Sequence, residues 1–98
     1  MICPQCHKLN GKEISFDEVL TFDEKSVIIK SSAERLLIDA IINGNCLCKD
    51  CVLTRMEKNG KKPSISSVRQ TICKVNVTIE ELGLVIVMTR GNVYLLKL

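Results

Sequence analysis

The sequence predicts an α+β domain built from an N-terminal β-hairpin, two helices and a C-terminal three-stranded antiparallel meander. Three observations predict it. Residues 13–30 are rich in β-branched and aromatic residues, residues 32–43 carry apolar side chains at helical spacing, and residues beyond 70 alternate apolar with polar. The chain has 98 residues, which suits one small domain and argues against a large catalytic cleft. Aromatics are only 3% against 46% hydrophobic residues, so the core must come from Ile, Leu and Val. With 26% charged residues and a net charge of +3, the composition is that of a folding chain rather than a disordered one.

Residues 1–12, "MICPQCHKLNGK", are dense in turn formers and read as a knuckle. The segments "EISF", "EVLTF" and "SVIIKS" follow, with "DEK" at 23–25 as a turn, which predicts the hairpin. Ser31 and Glu34 have the spacing of a capping box, in which each side chain serves the other's backbone N–H. A helix over 32–43 follows, with Leu36, Leu37, Ile38, Ala40, Ile41 and Ile42 on its apolar face and Asn43-Gly44 as a left-handed stop. A second helix is predicted to start at the cysteines of 46–51, to turn Val52, Leu53 and Met56 inward, and to end at Asn59-Gly60. Pro63 and the serines 64, 66 and 67 form a connector. It divides a region 1–62 from a β-region 63–98 that should pack on it as one domain. Cys73, Val75, Val77 and Ile79 alternate with polar residues and predict a strand with Cys73 in the core. "LVIVMT" and "VYLLKL" around Arg90-Gly91-Asn92 complete the meander.

The chemistry lies in the six cysteines. Cys3-x-x-Cys6 and Cys48-x-x-Cys51 form two doublets, and a two-residue gap lets both sulfurs of a turn converge on one tetrahedral ion. No apolar run of signal-peptide length precedes Cys3, and the most apolar stretch, 82–88, is too short to span a membrane. A reducing, cytoplasmic setting is therefore expected, where grouped thiols read first as metal ligands. The expectation is one zinc ion held by Cys3, Cys6, Cys48 and Cys51, with Cys46 or His7 as alternates and zinc against another soft metal left open. Cys46-x-Cys48-x-x-Cys51 keeps an iron–sulfur reading open, and buried, inert cysteines are the plainer alternative.

The N-terminal doublet, with Pro4 inside it and His7-Lys8 after it, resembles the knuckles of zinc-ribbon and treble-clef proteins. A second doublet at a helix start resembles the treble clef more closely. The 41 residues between Cys6 and Cys48 depart from those families and imply an inserted hairpin and helix. Cys3, Cys6, Glu34-Arg35, Asn43-Gly44 and Cys48-Lys49-Asp50-Cys51 are also similar to a family of small zinc-binding anti-sigma factors of spore-forming bacteria, over the first half only. That resemblance implies an inhibitor or adaptor that binds a protein of the transcription machinery.

Other chemistries lack their residues. Six cysteines and one histidine fall one short of the eight ligands of a two-zinc RING site, and a single imidazole cannot furnish a histidine-based nuclease. Two doublets in this order do not match a thioredoxin-like redox site. Asp17, Glu18, Asp23 and Glu24 read as a solvated hairpin face, and no phosphate loop or nucleophile elbow occurs. A non-enzyme is expected. Residues 1–45 carry five Lys/Arg and seven Asp/Glu, net −2, while residues 46–98 carry nine and four, net +5. Lys49, Arg55, Lys58, Lys61 and Lys62 could form a phosphate-contacting stripe on the helix 49–62, the alternative function being nucleic-acid binding. No aromatic for base stacking lies near it. The edge strand "VYLLKL" offers a template for pairing with a second copy.

Overall fold

The computed structural model describes Lys8, Leu9 and residues 11–98. Strands β1 (Lys8–Leu9), β2 (Lys12–Phe16), β3 (Val19–Phe22) and β4 (Lys25–Ile28) form an antiparallel sheet in sequence order. The predicted hairpin is thus a meander with a second turn at Asp17–Glu18. Its register sets Ile14 opposite Phe22 and Phe16 opposite Leu20, so four apolar side chains share one buried face. Ser15 and Thr21 take the other face, where Thr21 and Ser26 hydroxyls lie 3.0 Å apart. Asp23 and Glu24 both adopt positive φ, 51° and 69°, the twist-matched geometry of a two-residue hairpin turn.

Helix α1 (Ser32–Ile42) follows, with Leu37, Ile38, Ala40, Ile41 and Ile42 buried. It starts where the sequence predicts, but the Ser31 side chain makes no capping hydrogen bond and only the Ser31 carbonyl serves the first turn, accepting from Arg35 N at 2.9 Å. The stop differs too. Gly44 is not left-handed; Asn45 is, with φ 49°. Gly44 is required for closeness, since a Cβ there would meet the Ala40 carbonyl oxygen and Arg55 Nε, each at 2.8 Å. Asn43 ties the helix end to the sheet by donating from Nδ2 to the Phe16 carbonyl, 3.1 Å.

Helix α2 (Lys49–Arg55) is one of three helices among the described residues, where two were predicted. The third, α3 (Ile65–Ile79), occupies the stretch read as a strand. Ser64 caps it, its Oγ accepting from Ser67 N at 3.1 Å. Val68, Ile72, Val75 and Ile79, spaced four, three and four apart, are buried, so the helical period prevails over the alternation. Cys73, expected in the core, is exposed on the outer side of α3. A 3-10 turn over Glu80–Leu82 closes on Gly83 at φ 73°. The chain then returns as β5 (Leu84–Thr89) and β6 (Asn92–Lys97) around Arg90-Gly91. The C-terminal sheet therefore has two strands, not three.

Helix α1 packs on β2, α2 and α3, and α3 packs on β5, so α1 and α3 lie between the two sheets. One buried cluster runs from Leu9 to Leu95 and crosses the Pro63 connector without interruption. Among the described residues it holds no buried polar side chain, and Phe16 and Phe22 are its aromatics. Burying each of its larger aliphatic side chains contributes about 1.5–3 kcal/mol.

Asn76 is the exception on α3. Its Nδ2 donates to the Ile86 carbonyl at 3.0 Å and its Oδ1 accepts from Ile86 N at 2.8 Å. One carboxamide thus satisfies both backbone groups that β5 turns outward at Ile86, as a neighbouring strand would.

Candidate functional site

The cysteine-bearing segment is fixed at both ends by backbone bonds. Cys46 N donates to the Ala40 carbonyl at 3.0 Å, which returns the chain against α1. Residues 47–49 then run antiparallel to the start of β6: Val93 N donates to Leu47 O at 2.8 Å and Lys49 N to Gly91 O at 2.7 Å. Cys48 is extended (φ −124°, ψ 156°), and α2 begins immediately after it.

Cys48 acts as the N-cap through sulfur. Its Sγ accepts from Cys51 N at 3.4 Å and its carbonyl accepts from Val52 N at 3.1 Å. Asp50 adds a negative charge in the first turn. Cys46 is buried, Cys51 half-buried and Cys48 exposed. Cys46 and Cys51 are joined as a disulfide, with Cα atoms 5.6 Å apart. Cys46 and Cys51 are therefore bonded to each other, while Cys48 meets Cys51 through the backbone amide. While that bond is closed, neither Cys46 nor Cys51 can offer a thiolate to a metal.

Of the predicted ligands, Cys48 and Cys51 are brought together, and Cys46, an alternate, is bonded to Cys51. Cys3, Cys6 and the alternate His7 lie outside the described residues. Among the described residues, no group of three or more His, Cys, Asp or Glu is arranged to hold a metal ion.

The predicted basic helix over 49–62 does not form. Met56 is buried against the core and ends α2 with φ −87° and ψ 0°. Asn59 and Gly60, at φ 54° and 76°, then make a tight turn in which Lys58 and Lys61 bond to each other's backbone at 2.9 and 3.0 Å. The five cations consequently part. The Lys49 chain lies by Gly91. Arg55 Nη2 donates to Asp39 Oδ2 at 3.2 Å. Lys58, Lys61 and Lys62 flank a shallow pocket with Leu36, Met56 and Pro63.

Sequence reasoning missed the Asp39–Arg55–Gly44 junction and the role of Asn76. No signal marked the second, because Asn76 stands with Lys74, Thr78 and Glu80 among the polar positions of an alternating stretch.

Comparison with protein-family models, curated proteins and solved structures yields no match to the chain. Among the described residues the fold is α+β, with three helices and two antiparallel sheets. No helix among the described residues is long and apolar enough to cross a membrane.

Proposed function

We propose that the protein is a non-enzymatic zinc-binding adaptor or inhibitor that works by binding a protein partner in the transcription machinery. The observation that carries the metal reading is the sulfur cap. Cys48 presents Sγ toward the amide of Cys51 at a helix start, which holds two of the predicted ligands on one short segment. The donor chemistry suits the ion: Cys48 and Cys51 are soft ligands at the start of α2, and Cys3 and Cys6 would complete a four-thiolate shell, with Cys46 or His7 as alternates. The Cys46–Cys51 disulfide and a metal shell that uses either residue are alternative states of the segment, and a reducing compartment favours the second.

The partner reading is supported by the outer face of the C-terminal hairpin. Tyr94, Leu96 and Leu98 are 40%, 43% and 70% exposed beside the half-buried Val85 and Val87. An exposed apolar patch of this kind suits protein association. The nucleic-acid alternative retains only Lys58, Lys61 and Lys62; duplex binding at low salt that falls steeply with added salt would favour it.

Metal analysis of protein purified under reducing conditions tests the main reading. About one equivalent of zinc is expected, and Cys48→Ser should lose it. Reduced protein that takes up no zinc would overturn the metal part of the proposal.

A further inference from the structure

We infer that two copies of this chain associate through β6, antiparallel, about a two-fold axis at Leu96. The inference stands on backbone geometry and does not rest on the metal reading. Leu98 N donates to Gly83 O at 2.7 Å, and this bond fixes the phase of the β5–β6 ladder. Pairs alternate between bonded and non-bonded, so Val85/Leu96 and Val87/Tyr94 exchange hydrogen bonds. The N–H and C=O groups of residues 91, 93, 95 and 97 must then face away from β5. The bonds of Leu47 to Val93 and of Lys49 to Gly91 agree with that phase.

The two outer edges of this hairpin are treated differently. Along β5, Ile86 is satisfied by the Asn76 carboxamide. Along β6, residues 47–49 cover the first part, and the chain leaves the edge at Cys46, whose amide turns to Ala40. Among the described residues, nothing pairs with the backbone groups of Leu95 and Lys97.

Those two residues are self-complementary. Setting Leu95 opposite Lys97 of a second copy makes two bonded pairs, related by the two-fold, with four N–H···O bonds. The same register places Leu96 opposite Leu96 and Tyr94 opposite Leu98, on the face that is apolar and exposed in the single chain. Lys97 is the one charge between Val93 and Leu98, and it faces Leu95 rather than its own copy. The result is a four-stranded sheet, β5-β6-β6-β5, in which two marginal two-stranded ribbons become one. It leaves the apolar face of both hairpins available, so a partner and a second copy do not compete for it.

Sedimentation of the purified chain at about 100 μM tests the association, because mass action favours it there. The wild type is expected at twice the 11.0 kDa chain mass. Lys97→Pro removes an outward N–H without touching the β5 ladder, and it should return the mass to that of one chain. Lys97→Ala keeps the N–H and should remain paired. If Lys97→Pro alters the far-UV spectrum, amide exchange of the wild type decides instead: Leu95 and Lys97 should be protected to the same degree as residues inside the hairpin. A wild type of single-chain mass, a Lys97→Pro variant of undiminished mass, a Lys97→Ala variant that dissociates, or unprotected Leu95 and Lys97 amides would each overturn the inference.

Discussion

Helices α1 and α2 are neighbours held by different means. Helix α1 buries five of eleven residues and is fixed by an apolar face, whereas α2 buries only Val52 of seven. What holds α2 is attached at its ends: a sulfur cap and a disulfide at the start, and Met56 with the Arg55–Asp39 pair at the finish. A seven-residue helix is too short to persist on propensity alone. The contrast teaches that packing makes α1 indifferent to redox state, while α2 depends on the chemistry of its cysteines.

The sharpest break of that contrast is in the core. Leu37→Ala should lower unfolding free energy by about 2–5 kcal/mol, while Leu53→Ala on half-exposed α2 should stay within about 1 kcal/mol, both read from urea midpoints. Reduction of Cys46–Cys51 with a chelator present comes next. Opening so short a loop removes about 2 kcal/mol, and amide exchange should rise over 49–55 while 32–42 stays protected. The smallest effect is expected for Arg55→Ala. Its side chain and that of Asp39 are 44% and 40% exposed, so the loss should be below about 1 kcal/mol and should shrink further in high salt.

The same contrast explains what could be read from residues alone. Helix α1 was legible because of its six-residue apolar pattern, whereas the Asn-Gly pair marked where it ends but not how, since Asn45 is the left-handed residue. The N-terminal strands were legible as strands, but Asp17-Glu18 lacks the glycine or proline that announces a turn, so three strands read as two. In α3, Val75 and Ile79 satisfy both a period of two and a period of 3.6, and β-branching favoured the wrong one. A wider window that included Val68 and Ile72 separates them, since those positions fit only the helix. At the site, spacing identified Cys48 and Cys51 as a unit. It could not show the bond between Cys46 and Cys51, which depends on where α1 releases the chain, nor that Met56 would end α2 before the lysines.

Asn76 also governs how far assembly can proceed. A ribbon receptive on both flanks recruits further ribbons indefinitely and grows into a fibre. With α3 and its Asn76 carboxamide seated on the β5 flank at Ile86, the pairing inferred through β6 would halt after one addition. Take that amide away and α3 still packs on β5, so the expected consequence is two buried backbone groups at Ile86 left without a partner.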